Sequence, residues 1–268
     1  MHKTPIIWPI FSIILTSLVV FKAVYKSKTL TKNGGLIALL FGISTLSNYP
    51  IVGVQLLSFF YLGKLVTKIG KSQKMKIEDD FQEKRDGYQV MANGFLPFAA
   101  CAYYYFVHGS NQPVDRKLLI FTLSSFSACL GDTFSSELGI LSKEKPRLIT
   151  NLSRIVPRGT NGGVTKSGTL ASILGGLCLS LLTWIFLDLI FRDNDEISIN
   201  FGEILWIGSF SGFLGSVIDS LLGAVFEFSG QFRDGRIYVT VQNYNLLSGN
   251  QVNFLSGLLT SAICSYLF

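Results

Sequence analysis

Eight long apolar runs constrain the fold of this chain more than any other feature. Of its 268 residues, 49% are hydrophobic and 15% are charged, against about 25% charged in ordinary globular domains. The runs cover residues 5–21, 35–47, 51–66, 95–107, 118–130, 168–190, 204–228 and 252–268. A helix needs about 20 predominantly apolar residues to cross a bilayer, and several runs approach that length. The sequence therefore predicts an all-α, multipass integral membrane bundle of seven or eight spans, with eight favoured.

The first run is the one that a cleaved signal peptide could also explain. Four lysines follow it between residues 22 and 32, whereas only Lys3 precedes it, and no convincing small-residue cleavage site is apparent. This charge distribution favours an uncleaved anchor with its amino terminus outside. We therefore divide the chain into a membrane anchor with a basic linker, residues 1–31, and a membrane domain, residues 32–268.

Within the membrane domain, the chain is similar to itself. SFSACLGDTFSSELG (125–139) and SFSGFLGSVIDSLLG (209–223) share Ser-Phe-Ser, Leu-Gly, a serine and a final Leu-Gly in register. Each follows an Asn-Gly element, and a similar, shorter copy ends at Gly70. Self-similarity of this kind indicates a recurring structural unit. We predict parallel two-helix repeats at 32–70, 92–139 and 160–223, with a partial copy at 251–268.

The predicted repeats also assign an orientation in the membrane. A two-span repeat returns the chain to its starting side, so the loops between repeats would all share one face. Those loops carry most of the Lys and Arg residues, whereas the opposite loops are short or acidic. By the positive-inside rule we expect the basic loops to be cytoplasmic. An internal membrane such as the endoplasmic reticulum is the default expectation for the location.

Two arginines stand close before Asn-Gly elements, Arg85 before QVMANG and Arg158 before GTNGG. The planar guanidinium binds phosphate oxygens at two points, and backbone N–H groups at a helix start favour anions. We therefore expect Arg158 and the amides of Asn161, Gly162 and Gly163 to hold phosphate. The alternative is a capped helix start whose glycines allow close helix packing.

Three observations limit the chemistry. GTNGGVTKSG is not a P-loop, because Val164 and Thr165 separate Gly163 from Lys166 and no strand is expected before it. The two histidines lie at the amino terminus and in the loop of the opposite face, so a histidine base is not expected. The four cysteines occur at no metal-ligand spacing, which predicts buried free thiols.

The stretch GDTFSSELG, which begins at Gly131, places acids near the end of a span. Intramembrane acids are costly and usually face a cavity, a partner or a metal. In the next repeat the acid is Asp219, which aligns with Ser135 rather than with Asp132; two such carboxylates could hold Mg²⁺ shared with substrate phosphates. The competing interpretation is an Asp–Arg or Asp–Asn pair that only joins helices. Glu137 lies about 140° from Asp132 around a helix, so joint chelation needs a break near Gly131, or Glu137 has another partner such as an arginine.

The segments RDGYQVMANG, GDTFSSELG, VPRGTNGGVTKSG and GSVIDSLLGAVFE together resemble the transmembrane protein 19 family of integral membrane proteins. The resemblance covers the chain from about residue 32 onward. The family includes the phytyl-phosphate kinase of tocopherol synthesis, which makes a prenyl diphosphate from the monophosphate with a nucleoside triphosphate. The resemblance thus implies a phosphate and metal site at the basic mouth of the bundle, with an apolar cavity for a lipid tail. The positions that match the family are Arg85, Asn93, Asp132, Glu137, Arg158, Asn161, Gly162, Gly163 and Asp219.

The function predicted on this basis is that of a Mg²⁺-dependent lipid-phosphate kinase, which converts a prenyl monophosphate to the diphosphate with CTP or ATP. Asp132 and Asp219 are expected to bind Mg²⁺, and Arg158 with the Asn-Gly-Gly amides to bind phosphates. Arg85 or Lys166 would neutralise developing charge. Glu137 is grouped with the catalytic residues, and Asn93 with those that bind substrate.

The expected partners are a membrane lipid or prenyl phosphate and a nucleoside triphosphate, with no nucleic acid. Three alternatives use the same charged groups. The first is a transporter or flippase of a phosphorylated lipid or an organic anion. The second is a lipid-phosphate cytidylyltransferase, and the third is a non-catalytic scaffold. A transporter site should lie near the midplane of the membrane, whereas an enzyme site should lie at the basic mouth.

Overall fold

A computed structural model describes residues 7–75, 84–109, 115–191, 199–233, 236–242 and 245–268. It confirms the predicted helical membrane bundle, which in the described residues is built from eight long α-helices. They are α1 (Ile7–Phe21), α2 (Lys32–Asn48), α3 (Pro50–Lys68), α5 (Gly87–His108), α6 (Arg116–Gly139), α7 (Lys166–Phe191), α8 (Phe201–Phe226) and α9 (Gly249–Leu267). A single helical turn, α4 (Lys71–Lys74), follows α3, and a π-helical turn, Lys22–Lys26, extends α1.

Six of these helices are long and apolar enough to cross a membrane: α1 with its π-helical extension, α3, α5, α6, α7 and α8. The remaining two, α2 and α9, are helices of 17 and 19 residues. The first turns of α9 carry Asn250, Gln251 and Asn253, which lower its mean hydropathy. The seven or eight predicted spans thus correspond to eight long helices, of which α2 and α9 are too short or too polar to qualify by length and composition.

The bundle is organised around α6. This helix contacts α3, α5, α7, α8 and α9, and all its residues from Leu118 to Gly131 except Phe121 are buried. Small side chains let the neighbours approach closely, as is common where helices pack in membranes. The Ser211 hydroxyl of α8 donates to the Ser124 hydroxyl of α6 across 3.0 Å. At the periphery, α1 packs on α2.

The packing of α6 against α8 depends on paired glycines. A Cβ on Gly131 would lie 2.6 Å from the Cα of Gly212, and a Cβ on Gly215 would lie 2.5 Å from the Cα of Ala128. Aligning 125–139 with 209–223 equates Ala128 with Gly212 and Gly131 with Gly215, so the two contacts are reciprocal under that alignment. The internal repeat itself stays a prediction, as does the division at residue 31.

Two small antiparallel sheets, which were not predicted, lie in the loops between helix pairs. The first has three strands in the order β2-β1-β3, and the second is a hairpin of β4 and β5. Their bounds are β1 (Arg147–Leu148), β2 (Asn151–Ile155), β3 (Gly163–Val164), β4 (Ser229–Arg233) and β5 (Arg236–Gln242). Both sheets occur at the end of the bundle that carries the basic loops.

Candidate functional site

A cavity of about 680 Å³ opens at that end of the bundle. Its walls are the ends of α6 and α8, the start of α9 and the loop that contains β1 to β3. Six of the residues singled out in the sequence line it: Asp132, Arg158, Asn161, Gly162, Gly163 and Asp219. We refer to it as the carboxylate cavity. It lies at one end of the bundle rather than at mid-span.

The two aspartates reach the cavity from facing helices. Asp132 of α6 is half-buried and forms a side-chain hydrogen bond with Ser216 of α8. The hydroxyl of Ser256 on α9 donates to Oδ2 of Asp219, at 3.2 Å. Neither carboxylate has a cation as a close partner among the described residues. Two half-buried carboxylates in one cavity repel each other, and a bound cation would relieve that repulsion.

A third carboxylate, Glu227, lines the same cavity one residue beyond the end of α8. Burial raises the pKa of the Glu227 carboxyl above its ordinary value. Its negative charge also acts on Asp132 and Asp219. The cavity therefore concentrates three acids in a partly dehydrated space.

The donor set of this cavity fits a hard divalent cation. Carboxylates and hydroxyls supply oxygen ligands, and among the described residues neither histidine nor cysteine lines the cavity, which matches the preference of Mg²⁺. Within the described ranges, no three His, Cys, Asp or Glu residues are close enough together to hold a metal ion by themselves. Mg²⁺ would therefore need phosphate or water oxygens beside Asp132 and Asp219, as it does in many nucleotide sites.

The GTNGG segment lies in a loop and strand rather than at a helix start, because α7 begins only at Lys166. Two of its three amides are already used inside the protein: Asn161 N–H donates to Ser229 Oγ at 2.9 Å, and Gly163 N–H donates to the carbonyl of Thr160 at 2.9 Å. The expected helix-start anion site is therefore not formed. The segment instead forms a wall of the cavity.

Gly162 is required where it stands in that wall. Its φ is +74°, in the left-handed region that favours glycine. A Cβ there would lie 2.7 Å from the carbonyl oxygen of Ser220 and would also clash with Ala224. The absence of a side chain at Gly162 thus brings the GTNGG loop against α8, beside Asp219.

Arg158 supplies positive charge at the rim. It is exposed, lies in the turn between β2 and β3, and lines the cavity. To residues that the structure describes, its guanidinium forms no ion pair. Arg158 is thus positioned to bind the oxygens of an anionic ligand that enters the cavity.

Glu137 is not brought to the cavity. Because α6 continues without a break from Arg116 to Gly139, Glu137 faces away from Asp132. Its Oε2 lies 2.5 Å from the Nζ of Lys74, which also donates to the carbonyls of Val66 and Thr67. Glu137 thus has the other partner that the sequence left open, although this partner is a lysine rather than an arginine.

Three further predicted residues also lie outside the carboxylate cavity. Lys166 is exposed at the start of α7, where its backbone N–H donates to Glu144 Oε2 at 3.1 Å. Arg85 and Asn93 line a separate apolar slot between α1, α2, α3 and α5. Of the two groups expected to neutralise charge, neither therefore reaches Asp132 or Asp219.

Residues outside the predicted site complete the cavity. The set combines an acid, amides and hydroxyls: Gln89, Ser135, Ser136, Ser220, Glu227, Ser248, Asn250 and Asn253. Asn253 recurs at a repeat start, and Glu227 ends the GSVIDSLLGAVFE segment. The two hydroxyls Ser135 and Ser136 lie one turn beyond Asp132, so a helical wheel of GDTFSSELG contains a signal for them.

Comparison with known proteins assigns the chain to a protein family. The model of the integral membrane protein family DUF92 matches residues 15–261. Protein PGR of Arabidopsis thaliana is 32% identical over 99% of this chain and 98% of its own length.

Two further relatives match part of the chain. An uncharacterized membrane protein of Methanocaldococcus jannaschii is 41% identical over 66% of both chains. Protein VTE6, chloroplastic, of Arabidopsis thaliana is 30% identical over 56% of this chain and 46% of its own length. No solved structure matches. The chain belongs to the DUF92 family of integral membrane proteins.

Proposed function

We propose that this protein is a lipid-phosphate kinase that transfers a phosphoryl group from CTP or ATP to a prenyl monophosphate at the carboxylate cavity. The observation that carries the proposal is the convergence of Asp132, Asp219 and Arg158 on one wide polar cavity at the basic end of the bundle. Acids that hold a cation and an arginine that binds phosphate are the groups that phosphoryl transfer requires.

The acidic and basic side chains of the cavity would have different roles. Asp132 and Asp219 would hold Mg²⁺, which when bound neutralises phosphate charge and orients the transferring group. Arg158 at the rim would bind nucleotide or acceptor phosphate oxygens through its planar fork. The acceptor phosphate is already ionised at neutral pH, so no protein base is needed for its attack.

The position of the cavity supports an enzyme over a transporter. Helix ends and loops form its walls, whereas a transport site is expected near the midplane where both sides can reach it. The loops around it carry the excess of basic residues, and we propose that they face the cytoplasm. The resemblance to a family that includes a phytyl-phosphate kinase gives the choice of a prenyl acceptor.

The test is product formation by purified protein. Labelled CTP or ATP, Mg²⁺ and a panel of prenyl monophosphates are incubated with the wild type and with the Asp132→Asn and Asp219→Asn variants, and the products are weighed by mass spectrometry. We expect a diphosphate from the wild type and its loss in both variants. A product heavier by a nucleotidyl group would show a cytidylyltransferase instead, and equal diphosphate formation by all three proteins would refute the assigned site.

A further inference from the structure

A small basic pocket lies where α3, the segment between α1 and α2, and the start of α5 meet. Its volume is about 20 Å³, which is the space of about one water-sized particle. Among the described residues, none that lines this pocket also lines the carboxylate cavity. We call it the cation pocket, and its walls are Thr29, Phe60, Lys64, Thr67, Lys68 and Arg85.

Three cationic side chains converge on the cation pocket. Lys64 and Lys68 are one turn apart on α3, and the charges of Lys68 and Lys22 both act on Lys64. Like charges four residues apart destabilise a helix. In the part of the chain that the structure describes, neither lysine nor Arg85 forms an ion pair. The pocket therefore gathers positive charge that no described carboxylate neutralises at close range.

Contacts on several sides hold Arg85 in place. Its backbone N–H donates to the Thr29 carbonyl at 3.0 Å, and its carbonyl accepts from Thr31 N–H at 3.1 Å. Its guanidinium carbon lies 5.5 Å from the centre of the Phe59 ring, a cation–π distance. A Cβ on Gly63 would lie 3.3 Å from that guanidinium carbon, so Gly63 provides the room that Arg85 occupies. Arg85 thus ties the segment between α1 and α2 to α3 and to the start of α5.

The surroundings of Arg85 compensate its charge only in part. Burial lowers the pKa of the Arg85 guanidinium, and the charge of Glu137 acts in the opposite direction. Glu137 is itself bound by Lys74. An arginine stays charged in proteins, and a buried charge without a close partner is costly. A counter-ion taken up from solution would lower that cost.

The size and composition of the pocket restrict the identity of that counter-ion. Ammonium and guanidinium groups are hydrogen-bond donors without an acceptor atom, and among the described residues no carboxylate lines the pocket. The ligand is therefore an anion rather than a metal ion. A volume of about 20 Å³ accommodates an ion of one atom, whereas a phosphate group with its four oxygens needs more space. Chloride meets both requirements.

We propose that the cation pocket binds one chloride ion between Arg85, Lys64 and Lys68, and that this ion stabilises the junction of α3, α5 and the segment between α1 and α2. The ion neutralises like charges that would otherwise repel each other within one turn of α3. The proposal concerns a structural anion and uses residues outside the carboxylate cavity, so it does not rest on kinase activity.

The test measures chloride binding to the full chain in detergent by line broadening of the chlorine nuclear magnetic resonance signal. In parallel, the thermal unfolding midpoint is followed while chloride replaces gluconate at constant ionic strength. Bromide and inorganic phosphate serve as competitors. The variants are Arg85→Gln and the double variant Lys64→Gln/Lys68→Gln. The matched control is Lys143→Gln/Lys145→Gln, which removes two exposed lysines from another basic loop.

We expect saturable broadening in the wild type, reversal by bromide but not by phosphate, and an unfolding midpoint that rises with chloride because the ion binds the folded state. Both pocket variants should bind chloride about tenfold or more weakly, the effect of losing about 1.4 kcal/mol. The control should bind it as the wild type does. If Arg85→Gln fails to fold, the double variant carries the test, because Lys68 is exposed and Lys64 only half-buried.

Three results would overturn the proposal. One is broadening in the wild type that does not saturate. Another is equal chloride affinity in the wild type and the double lysine variant. The third is phosphate that competes as well as bromide, which would show a general attraction of anions to a basic surface rather than a site of one-atom size.

Discussion

Two cavities among the described residues, the carboxylate cavity and the slot lined by Arg85 and Asn93, lie near the same end of the bundle and differ in size and polarity. The carboxylate cavity is wide and polar and holds three acids, whereas the slot lined by Arg85 and Asn93 is narrow and apolar, and Lys64 and Lys68 line a small pocket beside it. Gln89, in the first turn of α5, lines both. We propose that the wide acidic space binds a metal and polar phosphates, whereas the slot presents a mostly apolar surface.

The separation between the two cavities is visible within the single helix α6. Asp132 of α6 faces the carboxylate cavity and α8, while Glu137 faces Lys74 and acts on Arg85. Five residues of a continuous helix turn the two acids about 140° apart. The motif GDTFSSELG thus supplies one acid to the carboxylate cavity and another to the contact with Lys74. For this reason the motif alone does not assign both acids to one site.

The largest expected effect is on activity, and it comes from replacing Asp132, the acid of α6 that faces the carboxylate cavity. Asp132→Asn should lower diphosphate formation about 1000-fold, because a metal at a transferring phosphoryl group supplies several kcal/mol of stabilisation. Initial rates under saturating nucleotide provide the measurement. The matched control is Asp188→Asn, an exposed acid near the other end of α7, which should keep the wild-type rate. Equal losses in both variants would show a general effect of charge instead.

Replacing Glu137, the acid of α6 that faces away from the carboxylate cavity, should affect the stability of the fold. Glu137→Gln leaves the Lys74 ammonium, which is 1% exposed, without its carboxylate. Removing one partner of a buried pair costs about 3–5 kcal/mol, so the thermal unfolding midpoint in detergent should fall by many degrees. The double variant Lys74→Met/Glu137→Gln removes both charges and should recover most of that loss. A double variant no better than the single one would contradict a buried pair.

The wall of the carboxylate cavity should tolerate little change. Gly162→Ala adds a methyl group against Ser220 and Ala224 at a positive φ, and overpacking of this kind costs about 1–3 kcal/mol. Gly202→Ala is the control, because a Cβ on Gly202 of α8 would meet only Asn200 Oδ1, at an ordinary 3.6 Å, and Gly202 has no positive φ. Thermal unfolding should show a larger loss for Gly162→Ala, and equal losses would contradict the requirement for glycine at position 162.

The smallest effect is a pH dependence from Glu227. Burial raises the pKa of this carboxyl in the folded state above its ordinary value of 4.5, so the folded state binds the proton more tightly than the unfolded state. Stability should therefore decrease as the pH rises from 4.5 through the raised pKa. Glu227→Gln should show a shallower decrease in unfolding midpoint over that range. A midpoint that rises with pH in the wild type but not in the variant would contradict this sign.

The sequence predicted the helical bundle because apolar runs report directly on the bilayer. It also predicted that Asp132, Asp219 and Arg158 lie at one end of the bundle, because repeated motifs and basic loops mark that end. It could not predict the small sheet that replaces the helix start at GTNGG. β1 and β3 have only two residues each, and contacts distant in the chain hold them, such as Asn161 with Ser229.

The sequence also did not separate Arg85 and Asn93 from the carboxylate cavity. Both stand in a motif that resembles the one at Arg158 and Asn161, and the resemblance groups all four. The structure separates them because α5 packs against α2, so its start faces the slot beside α1 and α3. Glu227 was missed for a related reason, since an acid just past the end of a span has an ordinary explanation in contact with water.

We propose above all that the carboxylate cavity binds a divalent cation together with nucleotide phosphates. It is tested most directly with Mn²⁺ as the spectroscopic substitute for Mg²⁺, by measuring protein-bound Mn²⁺ by electron paramagnetic resonance in the presence of CTP or ATP. We expect a bound Mn²⁺ signal in the wild type that is lost in both Asp132→Asn and Asp219→Asn and kept in Asp188→Asn. Equal Mn²⁺ binding by the wild type and both cavity variants would contradict it.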